Sequence, residues 1–83
     1  MPIETTLDQI PVGGEADVVR VGGHKAVKRR LMEMGLVRGE RVRVQRVAPL
    51  GDPIELRVKG YDLALRRSEA SAIVVSFDGE ARA

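Results

Sequence analysis

The period of apolar residues changes twice along this chain, and each change marks a new element. Glu15–Val21 (EADVVRV) is rich in valine, the β-branched type that strands favour, and Gly22-Gly23 ends it. From His24 to Met34 the spacing becomes helical. Val27, Leu31 and Met34 recur at i, i+4 and i+7 and predict one apolar stripe, with Lys25, Lys28, Arg29 and Arg30 on the opposite face. Gly35 stands where a glycine in the left-handed conformation closes a helix, and Leu36 stands where a Schellman closure sets its apolar contact, back against Leu31. A β-branched residue at position 35 is expected to cost about 1 kcal/mol or more, because such residues resist positive φ.

Beyond Arg38-Gly39-Glu40 the period falls to two. Arg41-Val42-Arg43-Val44 predicts a strand with one wet face, and Val47, out of phase with Val42 and Val44, predicts a bulge near Gln45-Arg46. Ala48-Pro49-Leu50-Gly51-Asp52-Pro53 must be a turn, since its two prolines lack the N–H that a ladder requires. Ile54, Leu56 and Val58 alternate with Glu55, Arg57 and Lys59; after Gly60, Tyr61, Leu63 and Leu65 alternate again. Arg67–Ser71 reads as one helical turn capped by Ser68, and Ala72–Phe77 as a last strand covered on both faces. Residues 3–12 read as a lead-in anchored by Leu7 and Ile10, with a short helical turn at Thr6-Leu7-Asp8, and residues 78–83 as a loose polar tail. About five strands with one inserted helix and one helical turn predict a mostly β fold, a small SH3-like barrel filling a single domain over 1–83, with its core in about 5–77.

Composition narrows the chemistry. The chain has 83 residues, no cysteine and one histidine, so neither a disulfide nor a thiolate metal centre can staple it and apolar packing must hold it. Hydrophobic residues are 43% of it and almost all aliphatic, enough for a core, with no run long enough to span a bilayer. A cytoplasmic location is expected. The metal-ligand candidates are His24, Asp52, Asp62, Glu4, Asp8, Glu15 and Asp17, and none sits at helical ligand spacing from His24. No tight metal site and no cofactor are therefore expected. His24 is the one imidazole, and no nucleophile–base or phosphate-cradling motif occurs, so the chain is expected not to be an enzyme.

Binding remains. Tyr61 and Phe77 are the only aromatics and both are expected to be buried, which argues against a reader of proline-rich peptide or of single-stranded nucleic acid. Net charge is only +2, yet the cations cluster at Lys25, Lys28, Arg29 and Arg30, at Arg38, Arg41 and Arg43, and at Arg66 and Arg67. An acidic protein surface suits them better than nucleic acid.

Three stretches carry a family resemblance. Leu31-x-x-Met34-Gly35-Leu36-x-x-Gly39-x-x-Val42, then Ala48-Pro49-Leu50-Gly51-Asp52-Pro53, then Leu65-Arg66-Arg67-x-Glu69-Ala70 with Ile73-Val74-Val75, resemble the ferrous iron transport protein A (FeoA) family over about residues 5–77. Members often carry Leu where Met34 stands, a volume-conserving exchange. The resemblance implies an SH3-like barrel that serves bacterial ferrous iron uptake as an accessory to the membrane transporter FeoB, docking on its cytosolic GTPase part and reaching the membrane only through it. On that reading Leu31, Met34, Gly35, Leu36, Gly39, Pro49, Pro53, Glu69 and Ala70 are structural, with Arg66, Arg67 and Glu69 at the surface. Lys25, Lys28, Arg29, Leu50, Gly51, Asp52, Arg66 and Arg67 are the candidate partner contacts. The alternatives are a basic small-barrel module bound to nucleic acid or the ribosome, and a transition-metal carrier or sensor.

Overall fold

The computed structural model describes residues 2–78. Six strands run β1 (Ile3–Thr6), β2 (Glu15–Val21), β3 (Arg41–Val47), β4 (Ile54–Val58), β5 (Tyr61–Leu65) and β6 (Ile73–Phe77). Helix α1 (Lys25–Glu33) lies between β2 and β3, one-turn helix α2 (Arg67–Ala70) between β5 and β6, and a single 3-10 turn (Leu7–Gln9) follows β1. All neighbours are antiparallel in one sheet of order β1-β6-β2-β3-β4-β5. The fold is the expected SH3-like, mostly β type, with one strand more than the alternation predicts. Ile3-Glu4-Thr5-Thr6 has no apolar period and becomes a strand only because β6 lies beside it, Ile3 opposite Phe77 and Thr5 opposite Val75.

Each element follows from its residues. Helix α1 ends in a full Schellman closure: Gly35 takes φ +99°, its N–H donates to the Met32 carbonyl at 3.0 Å, and the Leu36 N–H donates to the Leu31 carbonyl at 3.1 Å. That closure drives Leu31 and Leu36 into the core, where both are fully buried. Strand β3 bulges between Val44 and Arg46, as its phase slip predicts, which returns Val47 to the apolar side. Strand β6 is central; Ile73, Val75 and Phe77 enter the core while Val74 and Ser76 are only half covered, so its second face is less enclosed than expected. Leu7 and Ile10 anchor the lead-in to the same core, and the 3-10 turn packs on α2 and β6.

The cap at Ser68 and the surface position of Glu69 are both corrected. Ser68 lies inside α2 and does not cap it. The N-cap is Arg66, whose backbone N–H donates to Glu69 Oε1 at 2.9 Å, the reciprocal half of a capping box. Glu69 is accordingly half-buried and not at the surface, and its other oxygen accepts from Arg30 of α1. One carboxylate therefore ties both helices together. Glu69→Ala is expected to cost about 1–2 kcal/mol, visible as a lower urea midpoint, whereas an unchanged midpoint would show that cap and pair contribute nothing.

A further correction is Tyr61, which is 43% exposed; its hydroxyl donates to the Met34 carbonyl at the end of α1. Phe77 is buried, as expected. The tail 79–83 lies outside the described residues.

Candidate functional site

Most charges on the wet face of the sheet are paired, Arg43 of β3 excepted among the described residues. Arg41 of β3 reaches Glu15 and Asp17 of β2, each at 3.2 Å, because the register places Asp17 opposite Arg41. Arg46 pairs with Glu55, Arg57 with Asp62, and Lys59 with Glu40. These are cross-strand or cross-turn pairs, each weak at the surface. They also disperse the candidate metal ligands. Asp17, Glu15 and Asp62 face arginines, Asp8 accepts from Thr6 Oγ1, and Asp52 accepts from a backbone N–H. Among the described residues no three His, Cys, Asp or Glu side chains gather in a way that could hold a metal ion.

Helix α1 is different. Arg30 is drawn inward to Glu69, but Lys25, Lys28 and Arg29 have no ion-pair partner among the described residues. Arg38, just past the helix, is likewise unpaired, whereas its sequence neighbour Arg41 is not. These free cations surround an apolar strip. Met32, 43% exposed, and Val37 form the floor of a groove rimmed by Lys25, Lys28, Arg29 and the single carboxylate Glu33, and the same strip continues past Lys28 and Arg38 to Val19. An apolar floor edged by three cations and one carboxylate suits a partner with apolar residues among carboxylates. The strip was not anticipated from the sequence, since Met32 lies off the core-facing stripe and Val37 beyond the helix.

The remaining candidates form a second, separate group. The turn Ala48–Pro53 is closed by Gly51 N–H to the Ala48 carbonyl at 2.7 Å and Ala48 N–H to the Pro53 carbonyl at 3.1 Å. Its Asp52-Pro53 peptide is cis, and Gly51 takes φ +87°. Asp52 Oδ1 accepts from the Arg67 backbone N–H at 3.0 Å, and the Arg67 guanidinium donates to the Gly51 carbonyl at 3.3 Å. Gly51, Asp52 and Arg67 are thus brought together, with Arg66 next in chain and Leu50 at the tip. The motif residues Leu31, Leu36 and Ala70 are buried, Met34 half-buried, and Gly35 and Gly39 adopt the positive φ their turns require.

Residues 5–76 match the model of the FeoA domain family. The chain belongs to the FeoA family. A Porphyromonas gingivalis fusion of Fe(2+) transport protein A with the Fe(2+) transporter FeoB is 39% identical over 69 residues, 83% of this chain. The chain spans only 8% of that relative, so the match is confined to a small part of it. Among solved structures, FeoA of Chlorobium tepidum superposes with a TM-score of 0.83 at 46% identity, over 88% of this chain and 70% of that one. The zinc complex of Stenotrophomonas maltophilia FeoA, a prokaryotic SH3 domain protein, superposes with a TM-score of 0.75 at 39% identity, over 86% of this chain and 88% of that one. No helix among the described residues is long and apolar enough to cross a membrane.

Proposed function

We propose that this chain is a cytoplasmic accessory protein of ferrous iron uptake, without catalytic activity of its own, that works by binding the cytosolic part of a FeoB-type transporter. The fusion of a FeoA domain to FeoB in P. gingivalis carries this reading. Joining two modules in one polypeptide holds them at an effective concentration of about a millimolar, which gains nothing unless they meet. A separate chain must achieve the same encounter by affinity.

The docking face in this reading is α1, where Lys25, Lys28 and Arg29 are free and ring an apolar floor. Affinity capture with the tagged chain from detergent-solubilised membranes of its own bacterium is expected to enrich a GTPase-containing ferrous iron transporter. Enrichment of ribosomal proteins or nucleic acid, lost at raised salt, would instead favour a nucleic-acid module. Reversing Lys28 and Arg29 to glutamate is expected to weaken capture about tenfold and to flatten its salt dependence. Because both side chains are exposed, the melting temperature should move by no more than a few degrees. Capture that survives the double reversal unchanged would remove α1 as the docking face.

A further inference from the structure

Leu50 is 97% exposed, at the tip of the Ala48–Pro53 turn. A lone exposed leucine means little, but this one caps a patch. Pro49 and Pro53 are exposed beside it, and Val47, Ala48, Pro49 and Pro53, with the Arg46–Glu55 ion pair, line a shallow groove at the base of the turn. The backbone beneath is built to hold this shape, through the two turn hydrogen bonds and the two contacts from Arg67 to Gly51 and Asp52. Arg67 contributes no ion pair among the described residues, and neither does exposed Arg66. With Arg67 against the turn, Arg66 before it in the chain and Arg46 and Glu55 lining the groove, three cations stand against the two carboxylates of Asp52 and Glu55, a positive balance.

We propose that the Leu50 turn is a preformed apolar plug that seats in an apolar pocket, rimmed by carboxylates, on the transporter bound by this chain. The proposal rests on the reading above that the chain is a protein-binding accessory; it adds a second contact, separate from α1, and the chemistry of its receptor. Holding Leu50 in place before contact removes the ordering cost that a flexible loop would incur on binding. Arg66 and Arg67 select an acidic rim by charge complementarity. A lipid surface fits less well: one leucine buries far fewer methylenes than a single myristoyl chain, which itself gives only marginal membrane binding, and no Trp or Tyr flanks the tip.

The test is titration of the fluorescently labelled chain into the purified transporter in detergent, with Leu50→Ala, Leu50→Ser and Asp52→Ala beside the wild type. Both Leu50 variants should melt as the wild type does and bind roughly 10- to 100-fold more weakly, the loss expected for exposing one leucine side chain. Asp52→Ala, which removes one of the two contacts from Arg67 to the turn but keeps Leu50, should give a smaller loss. Wild-type binding with equal affinity of the Leu50 variants overturns the plug and leaves the accessory reading standing. Absence of wild-type binding overturns both. Sedimentation with vesicles of equal parts phosphatidylcholine and phosphatidylglycerol, or self-association by light scattering, that depends on Leu50 would assign the patch to lipid or to a second copy and overturn the transporter pocket.

Discussion

Leu31→Ala is expected to cost about 3–5 kcal/mol, a large share of the stability of a chain this size. Leu31 is fully buried, is the apolar anchor of α1, and stands one residue before exposed Met32. Its truncation removes transfer energy and leaves a cavity that the surrounding strands cannot close, since each is held in the sheet by its own ladder. Domains of this length are stable by roughly 4–12 kcal/mol, so the variant should lose a large share of its stability. The midpoint of thermal unfolding should fall by about 15 °C or more. A shift of only a few degrees would mean that α1 packs loosely and that the barrel folds without it. Because the cationic groove is built on α1, the same variant should also lose partner capture, unlike the charge reversal, which spares the fold.

Gly35→Val is expected to cost about 2–3 kcal/mol, more than its sequence position alone implies. At φ +99° a β-branched side chain is strained by about 1–2 kcal/mol. The tertiary structure adds a collision, since a Cβ built at Gly35 would stand 2.9 Å from the Tyr61 hydroxyl. Valine there must displace Tyr61 and break its hydrogen bond to the Met34 carbonyl, which closes the helix end from outside. Urea unfolding of Gly35→Val, Tyr61→Phe and the double variant separates the parts. Tyr61→Phe alone should cost about 1 kcal/mol, and the double variant less than the sum of the singles. Strict additivity would show that φ strain accounts for the whole effect.

What the sequence determined by itself is whatever rests on neighbours a few residues apart. The Leu31 stripe with its Gly35-Leu36 closure, the alternation of Ile54, Leu56 and Val58, the phase slip at Gln45-Arg46 and the two-proline turn are each imposed by backbone geometry within one element, and each forms where its pattern stands. The barrel class followed, because apolar alternation interrupted by one helix leaves few ways to bury both. Tertiary structure decided whatever depends on residues distant in the chain. Strand β1 exists because Phe77 and Val75 lie opposite Ile3 and Thr5, a pairing across the whole length of the domain that no local period could encode. The cap of α2 moved from Ser68 to Arg66 because Glu69 was positioned by both the Arg66 N–H and Arg30. Tyr61 came to the surface because the end of α1 offered its hydroxyl an acceptor there. Above all, the sequence presents Arg41 and Lys28 as equivalent cations. Folding brings Glu15 and Asp17, more than twenty residues away, against Arg41 and brings no carboxylate to Lys28. Which positive charges remain free for a partner is set by strand register, because an ion pair depends on distance in space and the sequence records only order along the chain.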